Sequence, residues 1–225
     1  GTSNDQWTHF FPHAKRGTEA MNDIGILPRY HGILCHDHWK PYYKYDCTHS
    51  LCNAHHIREL TRAWEQDKQV WALEMKQLLE KMNDAVNDAG GILPHKEAET
   101  WKIQYRELLG KAEIKCPPPD KPKEVKRGRT KRSKARNLLE RLIDFEEDVL
   151  RFMTNACVPF TNNAAENSIR MTKVQQKISG CFRSTDGAKI FCRVRGYLAT
   201  CRKQGVSATL AMTLVFEGTL PEFAL

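Results

Sequence analysis

The chain has 225 residues, 40% of them hydrophobic and 28% charged, with 35 Lys and Arg against 27 Asp and Glu and a formal net charge of +8. That length suits one large domain or a domain with an insertion, and the positive excess favours polyanions: nucleic acid, acidic membrane or a heparin-like polymer. No window approaches the ~18 consecutive apolar residues of a bilayer span, and the start GTSNDQWTHFFPHAKRG has no charged leader followed by an apolar core, so neither a membrane protein nor a secretory precursor is expected.

Residues 7–13 (WTHFFPH) and 31–37 (HGILCHD) are short aromatic or β-branched runs bounded by turn formers, which predicts two strands. Between them Gly17 to Ile26 predicts a brief helix ended by Gly25 and Pro28. From Ser50 to about Ala89, apolar residues including Leu60, Trp71, Met75, Leu79 and Met82 recur at three- and four-residue steps and predict helix. Lys96 to Leu109 predicts another helix, with Trp101, Tyr105 and Leu108 on one face. Residues 116–136 break the pattern: a Pro-rich stretch excludes helix, and nine of the last sixteen positions are Lys or Arg, which reads either as a solvated connector or as a phosphate contact. Helical periodicity resumes over Asn137 to Met153, near Asn163, from about Gly187 to Lys203, and over Ser207 to Phe216. The eight cysteines, at 35, 47, 52, 116, 157, 181, 192 and 201, sit mostly in apolar or helical runs and read as reduced thiols of a cytoplasmic protein.

Two acids stand out. Asp37 closes an apolar run, at the strand end where α/β sheets commonly hold ligands and metals; a turn or cap aspartate is the plainer alternative. Glu166 follows Asn162-Asn163-Ala164-Ala165 at a helix start, where a capping box would also explain it. Together they suit phosphodiester chemistry, in which converging carboxylates hold Mg²⁺ or Mn²⁺ to activate a water or 3′-hydroxyl. Arg170, Lys173 and Lys177 fall on one helical stripe beside Glu166, with Arg183 beyond, and read either as a solvated face or as DNA contacts. Cys47, Cys52, His55 and His56 offer thiolate and imidazole ligands for a structural zinc, although the spacing is not a standard one. Trp39, Tyr42, Tyr43 and Tyr45 either pack the strand end or stack on unpaired bases, with packing the favoured role.

The segments HDHWKPYYKYDCTHSLCNAHHIREL (36–60), FTNNAAENSIRMTKVQQKISGCFRS (160–184) and GAKIFCRVRGYLATCRKQG (187–205) resemble the insertion-sequence-66 family of bacterial DDE transposases. PHAKRGTEAMNDIGILP (12–28) is similar to the stretch that precedes them there. The resemblance implies an α/β, ribonuclease-H-like core interrupted by a mostly helical insertion. Its expected ranges are 1–56 for the first part of the core, 57–155 for the insertion, 156–205 for the second part and 206–225 for a closing helix and tail. It implies metal-dependent cleavage and strand transfer at transposon ends, with Asp37 matching the second catalytic aspartate and Glu166 the catalytic glutamate. The partners it implies are end and target DNA, a homo-oligomer on that DNA and accessory proteins of the same element. The first catalytic aspartate belongs to a segment upstream of the one that residues 1–13 match, so the chain as given is expected to lack one carboxylate and one strand and to be impaired in catalysis. A catalytically inactive DNA-binding remnant, and a nuclease or resolvase with the same core, are the rival readings.

Overall fold

The computed structural model describes residues 1–119, 132–180 and 182–224, without the side chains of residues 164, 165, 176 and 179. Most of the connector's basic run, and Cys181, lie outside the described residues. The chain divides into two compact units, one made of residues 1–29 and 163–225 and the other of residues 30–162.

The second unit contains the large apolar core. It opens with β3 (Ile33–His36) and β4 (Thr48–Leu51), which pair in parallel with Ile33 opposite Thr48 and His36 opposite Leu51. A five-residue 3₁₀ turn, Lys40–Lys44, lies between them. There follow α2 (Asn53–Glu65), α3 (Val70–Asp88), α4 (His95–Lys115), α5 (Lys134–Asp144) and α6 (Glu146–Leu150). The apolar step read in the sequence is one face of α3: Trp71, Met75, Leu79 and Met82 are all buried there. They meet Leu60 of α2, Tyr105 and Leu109 of α4, and Leu138, Leu139 and Leu142 of α5 in one cluster, as amphipathic helices must when each has a single apolar stripe. Leu51 of β4 joins the same cluster. The expected continuous helix from Ser50 is corrected in two places: residues 48–51 are a strand, and Lys68, at φ 55°, breaks the remainder between α2 and α3.

The first unit begins with a short antiparallel hairpin, β1 (Thr2–Ser3) and β2 (Thr8–His9). Its turn is made by Asn4, whose Oδ1 accepts from the Gln6 and Trp7 amides at 3.0 and 2.6 Å, a role for which Asn is well suited. Helix α1 (Thr18–Ile24) ends at Gly25, which adopts φ 74° and donates its N–H to Met21 O; the left-handed cap favours glycine. Helices α7 (Asn163–Ser179), α8 (Thr185–Lys203) and α9 (Ala208–Phe216) complete the unit. Ser184 and Ser207 cap α8 and α9 through hydrogen bonds from Gly187 N and Leu210 N, each satisfying an amide that the helix leaves unpaired. The architecture is mixed α/β and mostly helical, and among the described residues each of its two sheets has two strands.

Candidate active site

Asp37 follows β3 directly and is exposed. Its Oδ1 accepts the Trp39 N–H at 3.2 Å, an Asx turn of the kind that lets aspartate hold its own loop. Behind it, His36 is buried to 3% exposure. His36 Nδ1 accepts the His38 backbone N–H at 3.1 Å, and His36 Nε2 lies 3.1 Å from His49 Nδ1. An amide can only donate, so Nδ1 carries the lone pair; the neutral ring then places its proton on Nε2 and donates to His49. Burial, with the neighbouring imidazoles His49 and His38, pulls His36 down to about 4, so it is neutral near pH 7. His38, whose N–H makes the first of these bonds, sits at φ 64° in the left-handed region.

Aromatic packing supports the turn from the other side. The Tyr43 ring lies 5.0 Å from His36, 4.4 Å from His49 and 5.0 Å from Phe145. Its hydroxyl donates to Asp148 Oδ2 at 3.1 Å. Asp148 in turn accepts from Arg151 at 3.0 Å, and Arg151 Nε donates to the His49 carbonyl at 2.8 Å. Tyr43 is therefore a packing residue, and burial beside Asp148 pushes its phenol far above the usual range. The strand end carrying Asp37 is thus braced by groups from β4, the 3₁₀ turn and α6.

Glu166 lies in the first turn of α7 and is half-buried. The helix already includes Asn163, so Glu166 is one position further in than a capping box with Asn163 as the cap. Arg170, Lys173 and Lys177 follow along α7, all exposed, at the spacings that align one helical stripe; Arg183, also exposed, precedes α8. Asp37 and Glu166 are each fixed within a different unit. Both are hard oxygen donors suited to Mg²⁺ or Mn²⁺, and Asp37 Oδ2 accepts no hydrogen bond among the described residues.

A profile described as the transposase IS66 family matches residues 1–190 of the chain. The chain belongs to the IS66 transposase family. Over 70 residues it is 34% identical to an uncharacterized protein, y4jO, of Sinorhizobium fredii (strain NBRC 101917 / NGR234), covering 31% of this chain and 22% of that protein. The aligned part of the chain therefore spans about a fifth of that relative's length. No solved structure matches the chain.

Of the residues proposed for zinc in this IS66-family chain, Cys52 and His55 bring ligand atoms within 4.8 Å of one another, and among the described residues neither Cys47 nor His56 joins them as a third. Cys52 is buried, and its sulfur accepts the Asn162 N–H at 3.1 Å. His56 is a satisfied core histidine: its Nδ1 bonds Asn53 Oδ1 at 3.0 Å, and Asn53 Nδ2 donates to Val149 O at 3.0 Å. Cys35, half-buried beside Ser50, is raised by burial to about 12 and is not a thiolate near neutral pH. His36, His49, Asp148 and Arg151 escaped the sequence reading. Only His36 and His49, both inside the motif that carried the resemblance, had a signal that could have found them. None of the helices is long and apolar enough, over the described residues, to cross a membrane.

Proposed function

We propose that this IS66-family chain performs metal-dependent cleavage and strand transfer at insertion-sequence ends during DNA transposition, with Asp37 and Glu166 as carboxylate ligands for Mg²⁺ or Mn²⁺. The observation that carries this reading is the presentation of Asp37: an exposed carboxylate at the carboxyl end of a parallel strand, held by the Trp39 amide on a loop braced from behind by buried His36. The ions would polarise a phosphoryl oxygen and activate the attacking water or 3′-hydroxyl. In this reading Asp37 contributes a carboxylate from the end of β3 and Glu166 another from the first turn of α7. A third carboxylate, which the family resemblance assigns to a segment upstream of the one residues 1–13 match, would complete the set. The exposed stripe of Arg170, Lys173 and Lys177, with Arg183, holds end or target DNA by its phosphates. In the same reading, residues 1–56 and 156–205 contribute to a ribonuclease-H-like core that residues 57–155 interrupt. The working form is a homo-oligomer on DNA, with accessory proteins of the element, in the bacterial cytoplasm at the nucleoid.

Iron replacing magnesium tests the metal assignment without requiring turnover. Fe²⁺ with ascorbate and peroxide should cut the polypeptide beside residues 37 and 166, with suppression by excess Mg²⁺ and loss in Asp37→Asn. Wild-type protein that is not cut at residue 37 would contradict the assignment. For the DNA face, removing the charges of Arg170, Lys173 and Lys177 together should reduce the slope of log affinity for duplex DNA against log salt by about 2.7, at ~0.9 for each neutralised phosphate. An unchanged slope refutes that contact.

A further inference from the structure

The first unit contains a groove of about 760 Å³ that shares no residue with the carboxylates or the α7 stripe. Its base is rigidly built. Thr8 N donates to Thr200 Oγ1 at 3.1 Å and Thr200 Oγ1 donates back to Thr8 O at 3.2 Å, with each residue only 6% exposed. Gly196 allows the strand to lie directly on α8, because a Cβ there would come within 3.3 Å of Thr8 O. Alternation along the extended segment sets Thr8 against the helix and leaves Trp7, His9 and Phe11 at the open rim. Trp7 is 47% exposed and Phe11 42%, so both rings are open to a ligand at the rim. The His9 and Phe11 rings are near parallel, 26° apart with centroids 6.4 Å distant, and Phe11 and His13 repeat the arrangement at 24° and 6.5 Å. Of these rings His9 and Phe11 line the groove and His13 does not, so the exposed Phe11 ring offers a face on which a base can stack.

The facing wall supplies charge. Asp186, Lys189 and Arg193 line the groove from α8, all exposed, with two positive charges against one negative. Lys189 is held by Asp186 at 3.5 Å, while Arg193 forms no ion pair among the described residues. Residues 163–225 carry nine Lys and Arg against four Asp and Glu, so the field around the groove favours a polyanion. A sequence-tolerant site for single-stranded nucleic acid has this composition: aromatic faces for the bases and a basic wall along the backbone.

We propose that this groove binds an unpaired DNA strand, its bases stacked on Trp7 and Phe11 and its phosphates against Lys189 and Arg193. The choice of DNA rests on the transposition reading; the stacking and charge do not. The test is fluorescence anisotropy of a labelled oligothymidylate and of a labelled duplex, without divalent metal, across a salt series. Phe11→Ala should weaken oligothymidylate binding about tenfold, since stacking contributes ~1–3 kcal/mol per base, with no change in salt slope and none in duplex affinity. Phe11→Tyr should restore it. Arg193→Ala should flatten the single-strand slope by about 0.7. Because Trp7 also packs edge-on against Phe223 at 5.8 Å, Phe11 is the deciding position. Unchanged oligothymidylate affinity in Phe11→Ala, with duplex binding intact, overturns the groove assignment and leaves the transposition reading standing. Wild-type protein that binds neither DNA overturns both. Aromatic variants that lose binding of an added peptide but not of the oligonucleotide also overturn the assignment, by giving the groove to a protein partner.

Discussion

His56 shows how burial turns a titratable residue into a structural one. It is 2% exposed, and burial, reinforced by the nearby Arg141 charge, pulls it to about 3. His36 and His38 are pulled to about 4, in both cases chiefly by burial. In the unfolded chain each would titrate near 6.5, so below that pH the unfolded state binds protons that the fold refuses. Stability from these groups is fully present above about pH 6.5 and falls as the pH drops toward 4, by about 1.4 kcal/mol per pH unit for each proton. Urea unfolding at pH 7, 6 and 5 should therefore show a steepening loss, with His56→Gln shallower by roughly one proton. Equal stability at pH 7 and 5 would contradict the burial of all three.

Helix α5 is joined to the end of α4 through one buried cation. Arg136, 7% exposed, donates to Glu140 at 3.0 Å, to the Cys116 carbonyl at 2.9 Å and to Glu113 at 3.3 Å. Arg136→Met removes all of these at once and leaves the Cys116 carbonyl without this donor, while Glu140 keeps its ion pair to Arg132, so the loss should be about 2 kcal/mol. Arg106→Met removes an ion pair to Glu146 whose arginine is 57% exposed, and solvent screening keeps such a loss within about 1 kcal/mol. Equal losses in urea unfolding would contradict this contrast. The helices were legible before the structure because their apolar residues keep a 3.6-residue rhythm: Trp71, Met75 and Met82 were read on α3 and all three are buried. Strand β4 was not legible. Thr48-His49-Ser50-Leu51 has no β-branched run and no turn residue at its end, and it is a strand through hydrogen bonds to β3, whose nearest residue is twelve positions upstream. Pairing of that kind leaves no local mark in composition.

At the scale of the whole molecule, the sequence supplied the acids but not their supports. Asp37 was visible as a carboxylate ending an apolar run, and Glu166 as an acid opening a helix. The His36–His49 hydrogen bond, and the reach of Tyr43 to Asp148 in α6, join residues that no periodicity connects. The net charge of +8, compatible with several polyanions, is taken to face DNA under the transposition proposal. The proposal that Asp37 and Glu166 act together on DNA through divalent metal is tested most directly by Mg²⁺-dependent nicking and joining of duplex DNA carrying the element's own ends, by protein expressed from the whole reading frame. Asp37→Asn keeps an oxygen for the Trp39 amide, so its fold is preserved while its charge is lost; Glu166→Gln removes the other charge. Metal-held charge stabilisation contributes several kcal/mol to the transition state, and each 1.36 kcal/mol is tenfold in rate. Both variants should therefore lose about a thousandfold in cleavage while still binding the ends and unfolding at the same urea concentration; substantial cleavage by either one, or DNA binding by the wild type with no cleavage at all, would contradict the account.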